Sequence, residues 1–329
     1  MRLKLLVFAC LTLAVASRGG AQIQFPPETK NAALRYWTAF AEMQDLSTDK
    51  ATQDLLEKTV SGEAVWDEKK IAPILDANKF AIDIMQRATK LRDCDWGVEY
   101  EQGTNASIAY APRARALSRL NTLEGMRQLA AGNTQSATNS WLAGVRFSQD
   151  LARGGSLIFA LMAKNALLAN LRTLNLAAAN GQLSVAERQQ VAAGIHALPE
   201  DAFDWSAAWG LESAALDQFL RKLQSASDPG ALYQQGMGSP APEKGIPPSA
   251  QDIRNFETYM RAVQSALKQS PEKAKTSLES LDSQRSGLTE AEQRLIPNAQ
   301  KANQARIDIA KARTDLLRAL NKSAVKTGD

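Results

Sequence analysis

The stretch Leu91–Ala106, LRDCDWGVEYEQGTNA, places four carboxylates (Asp93, Asp95, Glu99 and Glu101) within nine residues, with Cys94 and Trp96 between them. Acids gathered in this way admit three readings. Glycoside cleavage needs two carboxylates flanking the scissile bond, one of them held protonated by its surroundings. The stretch supplies such pairs, but no spacing rule selects one. A calcium loop needs glycine at its sixth position and glutamate at its twelfth. Counted from Asp93, Gly97 is fifth and Thr104 is twelfth, so that pattern fails. The third reading involves no chemistry: Trp96 and Tyr100 drop onto neighbouring helices, and the acids stay in water or pair with Arg92 and Arg113. Asp93, Cys94, Asp95, Trp96, Glu99 and Glu101 are the candidate site, with no catalytic residue assigned among them.

Outside this stretch the chemistry thins quickly. Glu212-Ser213, in WGLESAALDQFL, resembles the Glu-Ser start of lytic transglycosylases, whose glutamate protonates the glycosidic oxygen. The glycine-rich, glutamine-bearing continuation of that motif is missing. A solvent-facing helical position is therefore expected for Glu212, between Trp205, Trp209, Leu216 and Phe219. Trp205 and Trp209 share a helical face that suits core packing or, less commonly, stacking on a sugar ring. The single histidine, His196, precludes a His-rich zinc site, and no cysteine pairs replace it. There is no nucleophile elbow and no phosphate-binding glycine motif after a strand. No cofactor and no metal are expected. These exclusions point away from an enzyme. The alternative kept open is an all-helical cell-wall glycan hydrolase or lyase using Asp95, Glu99, Glu101 or Glu212 as acid.

The chain opens MRLKLLVFACLTLAVASRGGAQ. A short basic start, an apolar run from Leu5 to Val15 and small residues ending at Ala21 have the form of a secretory signal peptide over residues 1–21. The run is too short to span a bilayer as a helix. Removing Arg2, Lys4 and Arg18 with this leader takes the net charge from +4 to +1, so a polyanionic partner is not implied. A location outside the cytoplasm follows, periplasmic or secreted. Cys94 is then the one remaining cysteine, and the fold must be held by packing rather than by an internal disulfide.

Apolar residues recur at spacings of three and four, and no stretch alternates with period two. Helices are expected over Asn31–Asp45, Thr48–Val60, Ile74–Leu91, Pro112–Ala130, Thr134–Leu151, Leu157–Ala179, Ser184–Ala197 and Asp204–Leu223. Leu157–Ala179 is apolar nearly all round, as a central helix should be. Its Lys164 and Arg172 argue against a membrane span. Residues 226–248 hold five prolines and four glycines and predict a linker or a long exposed loop. Beyond it, Ile253 to Leu267 and Leu288 to Ala319 form thin, alanine-rich seams. Pro297 is expected to kink the second arm of a C-terminal helical pair (249–329). The expected fold is all-α: stacked antiparallel hairpins, repeat-like but irregular, over 22–225, plus the C-terminal long-helix hairpin.

Two resemblances accompany this reading. Cys94-Asp95-Trp96-Gly97, followed by Arg113, Arg115, Leu117, Arg119 and Leu120, resembles uncharacterised exported bacterial helical proteins that carry a Cys-Asp-Trp-Gly loop before an Arg- and Leu-rich helix. That likeness covers about the first two-thirds of the chain and implies no activity. Gly125, Gly132, Ala137 and Trp141 are similar to the small and aromatic positions of a tetratricopeptide repeat. Asn121, Gly144 and Gln149 depart from that repeat's pattern. A generic αα-hairpin accounts for these positions equally. The helical-pair texture and the absence of catalytic signatures lead to the expectation of a scaffold of the cell envelope that binds a protein or peptide between helical hairpins. No nucleic-acid partner is expected, no transmembrane segment after processing, and the C-terminal seam offers a route to a homo-oligomer.

Overall fold

A computed structural model describes residues 28–44, 49–100 and 108–325. Residues 1–21, where a leader is expected, and Glu101 lie outside the described residues. Within them every regular element is an α-helix, and the one strand-like feature is a single bridge between Asn31 and Asp93.

The first four helices, α1 (Ala32–Glu42), α2 (Lys50–Ser61), α3 (Glu68–Ala77) and α4 (Lys79–Ala88), pack along the next. Side chains define their starts: Asn31 accepts from the Ala33 amide, Asp49 from Thr52 and Asp67 from Lys70. The single helix expected over Ile74–Leu91 is two. Asn78 interrupts it, donating its side-chain amide to Ile74 O while its Oδ1 accepts from the Gln44 amide. An asparagine that bonds the local backbone competes with helix continuation in this way. Pro73 sits inside α3, which obscured the helix in the sequence.

The centre consists of α5 (Ala111–Ala130), α6 (Thr134–Ala152) and α7 (Leu157–Ala179), joined by short turns and packed successively on one another. Trp141 lies flat on Gly125: a Cβ built there would stand 2.3 Å from the indole Nε1. Asn170 occupies the corresponding place over Gly144. Two glycines thus let three helices close around large side chains. Among the described residues α7 is the one helix long and apolar enough to cross a membrane. Here it is covered by α5, α6, α9 and α14, and Lys164 pairs with Asp308 at 3.0 Å.

Helices α8 (Val185–His196), α9 (Trp205–Ser225) and α10 (Pro229–Met237) follow, then α11 (Ala250–Ala266), α12 (Pro271–Arg285), α13 (Glu290–Leu295) and α14 (Ala299–Val325). The Pro/Gly-rich stretch 226–248 contains α10. Asp228 caps it, Pro229 occupies its first turn where a missing N–H costs nothing, and Gly238 ends it at φ 66°. Tyr233 of α10 is fully buried, so this connection is part of the folded body. Pro297 does not kink a continuous arm. The chain breaks between Leu295 and Ala299, and Asn298 starts α14 by accepting from the Lys301 amide.

The C-terminal seam faces inward. Ala302, Ala305, Ile309 and Leu316 are buried, and α14 lies along α7, α8 and α12. Arg306, 1 % exposed, reaches Asp201 at 2.6 Å and the main-chain carbonyl of Gln269. It ties α14 to two connections at once. One apolar core runs continuously from Ala32 to Leu320.

Candidate functional site

The stretch that drew attention in the sequence is built around a buried aspartate that did not. Asp150, on α6, has no exposed surface. The hydroxyl of Tyr36 (α1) donates to its Oδ2 at 2.7 Å. Its Oδ1 lies 3.2 Å from Arg146 Nη2 and 3.7 Å from Arg153 Nη1. The Asp150 main-chain carbonyl accepts from the indole N–H of Trp96 at 2.7 Å, with the Cys94 thiol 3.7 Å away. The two arginines also hold the loop backbone. Arg146 donates to Leu91 O and Arg92 O, and Arg153 to Arg92 O.

Stacked rings complete the mounting. Trp96 lies parallel to Tyr110 at 4.4 Å, and Tyr110 parallel to Phe159 at 5.1 Å. Tyr36 and Phe40 flank the indole on the side of α1. Gly97, at φ 64°, turns the chain immediately afterwards, a conformation glycine adopts without strain. The Asp95 carboxylate accepts from the Gly97 amide, and Asn31 brackets Asp95 with two bonds to its backbone.

The candidate residues therefore separate. Trp96 is buried and Cys94 half-buried, both facing Asp150. Asp93, Asp95 and Glu99 are exposed. Arg113 turns away from them and donates to Phe40 O and Met43 O. Burial, and then the nearby Asp150 charge, push the Cys94 thiol up to about 12. Burial likewise raises the Tyr36 hydroxyl well above its usual value, reinforced by Asp150. Asp150 itself is raised by burial, which the Tyr36 bond and the two arginines oppose only in part. A protonated thiol and buried, raised phenols form a fixed polar core, poorly suited to nucleophilic attack.

Glu212 is not solvent-facing. It is half-buried, raised by burial, and partly relieved by the Leu157 amide that donates to it. Leu157 is the first residue of α7, and the residue before it, Ser156, makes no side-chain capping bond. A carboxylate from α9 thus caps the central helix, where the helix dipole favours negative charge. His196 is exposed at the end of α8. Among the described residues no group of histidine, cysteine and carboxylates could hold a metal ion.

The open space lies elsewhere. Two cavities, of about 270 and 890 Å³, run between α4 and α6, the smaller bounded also by Glu124 and Gln128 of α5, and both are lined by Asp83, Gln86 and Asn139. They form one cleft with Gln190 of α8 at its outer edge. Gln86 Nε2 donates to Asn121 Oδ1 at 3.0 Å and to Ser140 Oγ at 3.1 Å. Asn139 Oδ1 accepts from Gln190 at 2.9 Å and from Gln135 at 3.1 Å. Phe80, 57 % exposed, stands in the wider lobe with Leu142. A second groove, of about 830 Å³, lies between α2, α5 and the start of α7, crossed by Arg119, which bonds Gln53. Reading the sequence missed the first cleft because four helices contribute to it and no one segment carries its pattern. Compared with protein-family models, with curated proteins and with solved structures, the chain matches none of them.

Proposed function

We propose that this chain is an exported helical scaffold of the cell envelope that binds a protein or peptide in the cleft between α4 and α6. The observation that carries this reading is the cleft itself. It is open, floored by helices that the buried Gln86–Asn121–Ser140 bonds hold in register, and edged by an exposed aromatic ring. Concave sites formed between packed helices, with a few fixed polar groups among apolar ones, are common places for recognition. The leader-like start supports export. Asp95 accepting from the Gly97 amide and Glu212 capping α7 give two of the acids of the glycan-cleaving alternative local structural roles, which supports the scaffold reading.

The test is site-specific photo-crosslinking in the producing cell. A benzophenone side chain at Phe80 should capture a defined partner, whereas the same group at Val65, which is 89 % exposed and outside the cleft, should not. Equal capture at both positions, or none at Phe80, overturns the reading.

A further inference from the structure

We infer that the α4–α6 cleft recognises an extended, acidic peptide segment through its main chain. This deepens, and rests on, the reading of the chain as a peptide-binding scaffold.

The amide groups on the two walls are held in defined orientations. Both donors of Gln86 are taken by Asn121 Oδ1 and Ser140 Oγ, which leaves its Oε1 as an acceptor. On α6, Asn139 Oδ1 already accepts twice, and its Nδ2 has no hydrogen-bond partner among the described residues. One wall therefore offers an acceptor and the other a donor. An extended backbone carries one N–H and one C=O per residue that it cannot satisfy internally, so it matches such a pair. A helical ligand satisfies its own backbone and can meet these groups only through side chains. The bonds behind the walls hold the side chains in place before any ligand arrives, which lowers the entropy lost on binding.

Charge selects among extended chains. Lys79 and Arg87 of α4, and Lys90 just past its end, are exposed along the cleft and make no ion pair among the described residues. Two acids line it, Asp83 of α4 and Glu124 of α5, and Glu124 is already paired with Arg127 at 2.7 Å. Arg146, at the far end, is already engaged by Asp150 and the Leu91 carbonyl. The uncompensated sign is positive, which favours acidic side chains and gives neutral glycans no advantage. Phe80 and Leu142 add an apolar seat for one aromatic or aliphatic residue.

The test is selection from a displayed library of random linear heptapeptides on the purified protein, followed by fluorescence polarisation with the best sequence. Enriched peptides should carry aspartate or glutamate beside one apolar residue. N-methylation of a central backbone amide should weaken binding at least about tenfold. Asn139→Ala should weaken it several-fold. Arg87→Glu with Lys90→Glu should abolish it, with the helical circular dichroism and melting temperature unchanged, because all three positions are exposed. Enrichment without acids, indifference to N-methylation, or displacement of the label by soluble glycan-strand fragments or by a pre-formed helix overturns the inference. Should Phe80 still crosslink a cellular partner while no acidic peptide binds, the rule of recognition fails and the scaffold reading stands. Loss of that crosslink removes both.

Discussion

The indole N–H of Trp96 donates to the main-chain carbonyl of Asp150 at 2.7 Å, joining the acidic loop to the middle helix of the central stack across 54 residues of sequence. This bond makes the loop a wall of the core. Trp96 is 5 % exposed and packs flat on Tyr110. Trp96→Phe keeps much of the ring but leaves a buried carbonyl short of a donor, a loss of about 1–2 kcal/mol. Trp96→Ala also removes the stacking surface and should cost about 3–5 kcal/mol. The exposed Asp93→Asn should stay within about 0.5 kcal/mol of the parent. Urea unfolding of the three variants checks this ranking; an Asp93 variant as unstable as Trp96→Ala would contradict it.

Cys94 faces Asp150 with its thiol pushed up to about 12, first by burial and then by that carboxylate. Only the thiolate reacts rapidly with alkylating agents, and at neutral pH almost none is present here. Iodoacetamide should therefore label the folded protein far more slowly than a free thiol, and urea should restore the ordinary rate. Rapid labelling of the native state would show that the loop does not sit on Asp150 as described.

Much of the fold was legible because its signals are local. The stop at Gly132-Asn133, the break at Gly154-Gly155 and the start at Ser184 with Glu187 three residues later all lie where backbone conformation or capping dictates an end. The contact of Trp141 with Gly125 was foreshadowed by their spacing. What could not be read depends on partners distant in sequence. Asp150 looks like an ordinary surface acid between Arg146 and Arg153 until Tyr36 arrives from α1. Glu212 gained its role only from the first amide of α7. The alanine seam of α14 has the periodicity of a pair of helices, yet that pattern does not say which helix covers it, and α7 does. Tyr233 shows the same limit: one buried aromatic holds a Pro/Gly-rich stretch in the body, against its composition.

The acid sensitivity of the α6–α8 contact follows from Glu187. Burial alone would raise its carboxyl, but bonds from the Thr134 hydroxyl and from Ser184 bring it below the usual glutamate value. A carboxyl lowered on folding contributes stability that is fully present above the unfolded value and disappears as pH falls through the folded one. Asp150, Glu212 and Glu292 are raised and act in the opposite sense: each lowers stability as pH rises through the window just above its ordinary value. The net curve mixes these contributions, whereas the difference between the parent and Glu187→Gln isolates one. That difference should be largest near neutral pH and vanish in acid. A difference that stays constant with pH would assign Glu187 a purely steric role.

Arg306 offers the sharpest test of whether the C-terminal helices belong to the body. Its guanidinium is enclosed, with Nη2 bonding both Asp201 and Gln269 O, while Asn303, bonded to Nη1, itself donates to Pro271 O. Arg306→Met keeps the apolar stem but leaves the Gln269 carbonyl without its donor. Asp201 is about one-third exposed and can hydrate, so the loss should be about 2–4 kcal/mol, short of that for a fully buried broken pair. The decisive feature is cooperativity. Because α14 lies along α7, the variant should unfold in one transition at lower urea, seen alike by far-UV circular dichroism and by tryptophan fluorescence in a background where Trp141 is the one tryptophan kept. Two separated transitions, with the tryptophan signal unmoved by the substitution, would mean that the C-terminal helices fold as a unit of their own.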